Sequence, residues 1–323
     1  GLAQKAEDFY KDKTIRVMSV TGAGGTMDLY LLLFMKHAKK NLPAGTNLVL
    51  EHRTGGGGAV GANHLFNAAP KDGTYIGMPV PALVSTTFSA PDSVRYKPTE
   101  FQAIGRLVDN PRVFVARGDS GIKSLEDAAK SDKEITHGIM TVGTTFDQFM
   151  SATNEALGTK FRRVAGYSGG GPTFLAMEQG EVQSTTAEVA NLLANKWHLV
   201  KDGKVNVLAV LGLEPVEGLE KYPNVLDLVS KDNPKRGIVQ AVAQSAAIGL
   251  GLYAPPGTPQ DRVEYLRKVF SATLNDPELR AEAKERNIPI NYRDGAALQK
   301  IVADSTQVSP DVQAWFKSLL EKK

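Results

Sequence analysis

Glycine-rich turns are the residues here whose type and spacing could do chemistry, because each follows a β-branched run and opens a helical one. They are Gly22-Ala23-Gly24-Gly25, Gly55 to Gly58, Gly143 and Gly169-Gly170-Gly171. The chemistry is anion capture. Glycine lets consecutive backbone N–H groups point at one ligand, and a helix N-terminus adds roughly half a positive charge. One such turn can be no more than a tight strand-to-helix connection. Several of them, in both halves of the chain, point to a two-sided anion site.

Two motif matches compete with that reading. Gly56, Gly58 and Gly61 satisfy G-x-G-x-x-G. A dinucleotide site would also need an acid at the end of the next strand, to hold the ribose. That strand, Thr74 to Met78, runs into Pro79-Val80-Pro81 with no Asp or Glu. No G-K-[ST] follows any turn, which removes a Walker loop. The second match is Gly166-Tyr167-Ser168-Gly169-Gly170, a literal G-x-S-x-G between a strand and a helix. That is the context of a nucleophile elbow, and a serine hydrolase using Ser168 is the enzymatic alternative. The only histidine after Ser168 is His198, with Glu178, Glu181 and Glu188 as the acids near it. Such a triad would be compressed into one βαβ unit, so Ser168 reads better as a hydroxyl ligand or a turn residue.

Composition narrows the classes. The 323 residues suit two domains of about 150 each. A net charge of +3, with no dense Lys/Arg block, gives no footprint for nucleic acid. The apolar run Leu29 to Met35 is far short of the roughly 20 residues that span a bilayer. No cysteine is present, which excludes thiolate catalysis, disulfides and Cys-ligated metals. The five histidines, His37, His52, His64, His137 and His198, show no helical zinc spacing, so a metal enzyme is not expected. Gly1 to Lys13 read as polar and irregular, like the end left after signal-peptide removal.

The elements that must position the turns alternate in type. Strands are predicted at Thr14–Val20, Thr46–Glu51, Thr74–Met78, Ile135–Met140, Phe161–Ala165 and Val205–Val210. Helices are predicted at Met27–Lys40, Ala59–Ala69, Phe146–Leu157, from near Pro172, and in one long run over Ala296–Leu320. This alternation argues for α/β architecture, with parallel sheets flanked by helices. No low-complexity linker separates the domains. Ordered crossings are expected at Phe101–Arg117 and Gly237–Leu252, with one domain over 1–108 plus 240–323 and the other over 109–239.

At this point the residues resemble the receptors of the tripartite tricarboxylate transporters, the Bug proteins. The stretch from Ile15 through Gly22-Ala23-Gly24-Gly25-Thr26-Met27-Asp28 is similar to their opening strand, glycine turn and helix-start Asp. Arg53-Thr54-Gly55-Gly56-Gly57-Gly58 resembles their Arg-Pro-Gly-Ala-Gly-Gly, and Asp72-Gly73-Thr74-Tyr75 their Asp-Gly step. Ala254-Pro255-Pro256-Gly257-Thr258-Pro259 and Leu274-Asn275-Asp276-Pro277-Glu278 are similar to two late motifs. The order is kept over nearly the whole length.

The resemblance implies a type II, two-domain periplasmic-binding-protein-like fold. Each domain would be a mixed, mostly parallel sheet flanked by helices, joined by hinge strands around a ligand cleft. It implies a periplasmic, monomeric receptor, not an enzyme and without cofactor, whose partners are a small organic acid and the membrane components of a tripartite transporter. A receptor for a non-carboxylate anion is the other alternative. The ligand-binding set implied is Thr21, Gly22, Ala23, Gly24, Gly25, Thr26 and Pro81 in one domain. In the other it is Thr141, Val142, Gly143, Thr144, Thr145, Tyr167 and Ser168; Thr186 and Glu188, where the chain departs from the family's Asp-rich strand, are expected to reshape the far end for a hydroxyl or amine.

Departures from the family pattern are Leu32 in place of Arg, His52 in place of Asn, and Thr54 in place of Pro. Asp28 reads as an acid stabilised by the helix dipole rather than a ligand contact. His52 reads as a satisfied histidine before a proton donor, and Arg53 equally as an ion-pair partner or a carboxylate ligand.

Overall fold

In the computed structural model, which describes residues 1–321, the strands in chain order are β1 (Thr14–Ser19), β2 (Asn47–His52), β3 (Tyr75–Met78), β4 (Gln102–Val108), β5 (Arg112–Arg117), β6 (Ile135–Gly138), β7 (Phe161–Val164), β8 (Ser184–Glu188), β9 (Val205–Leu211), β10 (Leu250–Ala254) and β11 (Arg293–Asp294). They form two sheets, ordered β11-β4-β10-β3-β1-β2 and β7-β6-β8-β5-β9. The chain divides into two units: residues 1–84, 91–109 and 248–306, and residues 85–90, 110–247 and 307–323.

Both sheets are mixed. Strands joined by helical crossovers are parallel: β1 with β2 and β3, and β6 with β7 and β8. The other pairs, β10 with β3 and β4, β11 with β4, and β5 with β8 and β9, are antiparallel. The expected predominance of parallel pairing therefore holds only within the crossover parts. Elsewhere, β4, β5 and β10 are not joined to their neighbours by that right-handed connection, and nothing forces them parallel.

Two expectations about helices are corrected. Leu2–Tyr10 is a helix rather than an irregular end. Its face is Ala6 and Tyr10, four residues apart and buried, with Tyr10 stacked on Tyr265 at 5.3 Å and its hydroxyl donating to the Gly73 carbonyl at 2.7 Å. The single helix expected over Ala296–Leu320 is two, Gly295–Ser305 and Pro310–Ser318. Pro310 has no N–H to continue a ladder, and the Ser309 side chain accepts from the Val312 amide to start a new helix.

That break also bears on which unit each end joins. Residues 240–247 and 307–321 pack with the second unit, whereas the sequence places all of 240–323 with the first. Val239, Val242, Trp315, Phe316 and Leu319 are buried in one cluster with Phe114, Phe149 and Phe161 of the second sheet and its helix. Burial of so much apolar surface outweighs chain proximity.

Phe316→Ala removes a ring that is fully buried in that cluster, so the second unit is expected to lose about 3–5 kcal/mol. Hydrogen exchange at β5 and β8 amides checks this, and wild-type protection there would contradict the packing.

Candidate functional site

The parallel strands of each sheet end at one edge, where ligands of open α/β sheets bind. In the first sheet Ser19 lies opposite His52 and Met78 in register. The turns after them, which carry Thr21–Thr26, Gly55–Gly58 and Pro81, therefore share that edge. In the second sheet Gly138 lies opposite Val164 and Thr185. The turns carrying Thr141–Thr145 and Tyr167–Ser168 share that edge with Glu188 and, because β5 is antiparallel, with Arg112.

The two leading turns are built alike. Gly24 and Gly143 both have φ near +85°, a left-handed conformation that favours glycine. The next residue is extended, Gly25 at φ −86°, ψ −172° and Thr144 at φ −93°, ψ −174°, and a 13-residue helix begins after it. The Gly24 amide donates to Asp28 Oδ2 at 2.7 Å, and the Gly143 amide to Asp147 Oδ2 at 2.7 Å. Each Asp is buried and draws a cationic or N–H partner from the next strand along the sheet. His52 Nε2 donates to Asp28 at 2.8 Å, and Arg163 Nη2 lies 3.1 Å from Asp147, which also accepts from Ser151 at 3.0 Å.

This assigns roles the sequence reading did not separate. The Gly24 and Gly143 amides are engaged internally and shape the turns. Neither helix is capped by its N-cap side chain, and the Thr144 hydroxyl donates backwards to the Thr141 carbonyl at 2.6 Å. The first-turn amides, which no intrahelical carbonyl can reach, point out of each helix end. Asp28 is the acceptor that holds its turn, a third role beside the dipole and ligand readings. Asp147 was missed, although the spacing Gly-x-x-x-Asp recurs at 24–28 and 143–147 and could have revealed it.

The remaining candidates fall as follows. Thr21, Gly22, Ala23, Gly25, Thr26, Thr141 and Ser168 are partly or fully exposed at their edges, as are Pro81, Val142 and Thr145. The Tyr167 hydroxyl donates to Glu181 at 3.1 Å. Thr186 is fully buried, its hydroxyl 2.9 Å from His137 Nε2, so its side chain belongs to the interior. Arg53 is engaged by Glu51 and Tyr75, the ion-pair reading. The Tyr75 hydroxyl donates to Glu51, and burial together with that carboxylate pushes it up to about 12. Gly61 lets its helix pack against the residues that follow β1 and β2: a Cβ there would lie 2.5 Å from Val20 and 2.8 Å from the Arg53 carbonyl. The Gly55–Gly61 turn is in that respect scaffold. His198 is exposed on the short helix Trp197–Lys201. His37, Asp276 and Glu278 come within ligand distance of one another, and Lys40 Nζ sits 2.6 Å from both acids.

His137, on β6 below the second turn, is fully buried. Ser184 donates to the Thr136 carbonyl, so its oxygen accepts from His137 Nδ1–H at 2.7 Å and Nε2 accepts from Thr186. Burial pushes this neutral imidazole down to about 3.

The unfolded chain therefore takes up a proton below about 6.5 that the folded one refuses. His137 stability is full above that pH and falls toward pH 3 by up to about 1.4 kcal/mol per pH unit. Urea unfolding of wild type against His137→Gln between pH 7 and 4 checks it; a pH-independent difference contradicts it. Asp147→Asn strips the buried counter-charge from Arg163 and is expected to cost about 3 kcal/mol. Asp28→Asn, beside the more accessible His52, is expected to cost about 1 kcal/mol. Equal losses in urea would show that the partner's burial does not set the cost.

Comparison with known proteins follows the same lines. A curated relative, the "UPF0065 protein in tcbD-tcbE intergenic region" of Pseudomonas sp. (strain P51), is 21% identical over 306 residues, covering 92% of this chain and 83% of its own. The crystal structure of a TctC solute binding protein from Polaromonas superposes with a TM-score of 0.72 at 22% identity, covering 97% of this chain and 100% of that one. MatC from Rhodopseudomonas palustris, solved with bound malate, gives 0.69 at 18% identity, covering 95% and 99%. At such identities the likeness shows the fold, that of two-domain type II binding proteins. The model of the tripartite tricarboxylate transporter family receptor matches residues 35–313, and the chain belongs to that family of solute-binding receptors.

Proposed function

We propose that this protein is an extracytoplasmic, periplasmic receptor that captures a small carboxylic acid and delivers it to the membrane components of a tripartite tricarboxylate-type transporter, without chemistry on the ligand. The observation that carries the reading is one turn built twice. Gly22–Thr26 and Thr141–Thr145 each place a left-handed glycine, an internal carboxylate clamp and an uncapped helix start at a sheet edge. A carboxylate suits such a start because backbone dipoles, not mobile side chains, supply the positive potential. In this proposal Gly22–Thr26 is the primary clamp. Malate in the Rhodopseudomonas neighbour is an acid of this class.

Thermal unfolding against panels of carboxylates, phosphonates and amino acids tests it. A true ligand at a hundred times its Kd should stabilise the protein by about 2.7 kcal/mol. Stabilisation must grow with concentration and appear for a carboxylate. A response to phosphonates alone would move the reading to another anion, and no response to any carboxylate would overturn it.

A further inference from the structure

One group of side chains in the first unit lies away from the glycine turns and takes no part in them. His37 is in the last turn of the helix Thr26–Ala38, roughly 16 Å along the axis from the turn that opens it. Against it sit Asp276, which caps the helix Pro277–Glu285, and Glu278 in the first turn of that helix. The His37 side chain is 5% exposed, and its Nδ1 has no hydrogen-bond partner among the described residues. That atom lies 3.9 Å from Asp276 Oδ2, too far for a hydrogen bond. One ligand atom from each of His37, Asp276 and Glu278 lies within 4.8 Å of the other two. A buried ring nitrogen left unpaired beside two acids calls for an explanation.

The groups behind these atoms are arranged as the surroundings of a metal ligand are. His37 Nε2 donates to Glu282 Oε1 at 3.0 Å. Lys36, His37 and Arg286 hold the Glu282 carboxyl down at about 2, so it stays an acceptor and keeps the ring proton on Nε2. The neutral ring then presents its Nδ1 lone pair on the Asp276 side. Asp276 Oδ1 accepts from the Glu278 amide at 2.9 Å, which fixes that carboxylate. Its Oδ2 and Glu278 Oε2 already share a cation, Lys40 Nζ, at 2.6 Å from each. The ammonium satisfies both acids but not Nδ1. The Lys40 and Glu278 side chains are 43% and 77% exposed, against 17% for Asp276, so the cluster meets solvent on their side.

We propose that His37 Nδ1, Asp276 Oδ2 and a Glu278 carboxylate oxygen bind one divalent transition cation of the Zn2+ class, which replaces the Lys40 ammonium. Two carboxylates and a neutral imidazole balance a dication, whereas one ammonium leaves a negative charge over. An imidazole ligand favours Zn2+ over Mg2+ or Ca2+, which prefer oxygen alone. Bonds of about 2.0–2.2 Å set tetrahedral ligand atoms roughly 3.4 Å apart, so the histidine–aspartate separation closes by about 0.5 Å and the exposed Glu278 follows. Water completes the shell. The ion joins two helices far apart in the chain, which is why no zinc spacing shows within either one. Nothing in this inference depends on the receptor reading.

Calorimetric titration of the untagged full chain with Zn2+, after stripping with a chelator, tests it. One Zn2+ per chain should bind at micromolar or tighter affinity, and Mg2+ at least about a hundredfold more weakly. Glu278→Gln, at an exposed position, should weaken Zn2+ by about tenfold or more, and His37→Gln should abolish the site. Lys40→Met removes the competing ammonium and should tighten Zn2+ by at least about threefold. A merely structural ion-pair cluster predicts no such gain. Should His37→Gln not fold, Glu278→Gln and Lys40→Met decide. No Zn2+ binding, binding unchanged in Glu278→Gln or in a folded His37→Gln, or a Lys40→Met that binds no tighter than wild type would each overturn the site. Mg2+ binding as tight as Zn2+ would overturn the role given to the histidine.

Discussion

A backbone amide held by a buried carboxylate is the interaction on which both turns depend. The amide of Gly24 or Gly143 can reach its Asp only if the glycine is left-handed and the helix starts two residues later. The Asp can stay buried only if a neighbouring strand supplies a partner, as His52 does from β2 and Arg163 from β7. Glycine, helix start, acid and strand order are therefore coupled. None can change alone without leaving either a charge or a peptide group unsatisfied.

This coupling shapes which donors each turn presents. Because the glycine amides are consumed inside the turn, the donors offered outward are those of the first helical turn. These are fixed by the helix and need no reorganisation on binding. The second unit extends the same economy of polar groups inward. Its strand β6 carries a neutral histidine satisfied on both nitrogens by hydroxyls, so a polar residue sits in the core without a charge. The site edge is therefore anchored to a rigid sheet rather than to mobile side chains.

The legible part of the site was its backbone chemistry. Glycine clusters between strand and helix patterns mark turns because few other residues take φ near +85°. The G-x-S-x-G and G-x-G-x-x-G matches show the limit of such reading. In the second case Gly61 is needed for close packing on Val20 and the Arg53 carbonyl, a contact that the spacing alone cannot separate from nucleotide binding. Arg112 gave no local signal. It reads as one more charged residue beside Pro111, and only the register with Glu188 and the ring of Phe146 show where it is buried.

By itself the sequence determined the alternation of elements, the positions of the turns and the family's ordered motifs, because these rest on local conformational preference and spacing. Tertiary structure alone decided which pairs run antiparallel, that the C-terminal helix breaks at Pro310 and that Phe316 packs with the second sheet. It also decided which side chains hold the turns. Such choices depend on burial and on partners far along the chain, where apolar packing and the need to satisfy buried charge outweigh local propensity.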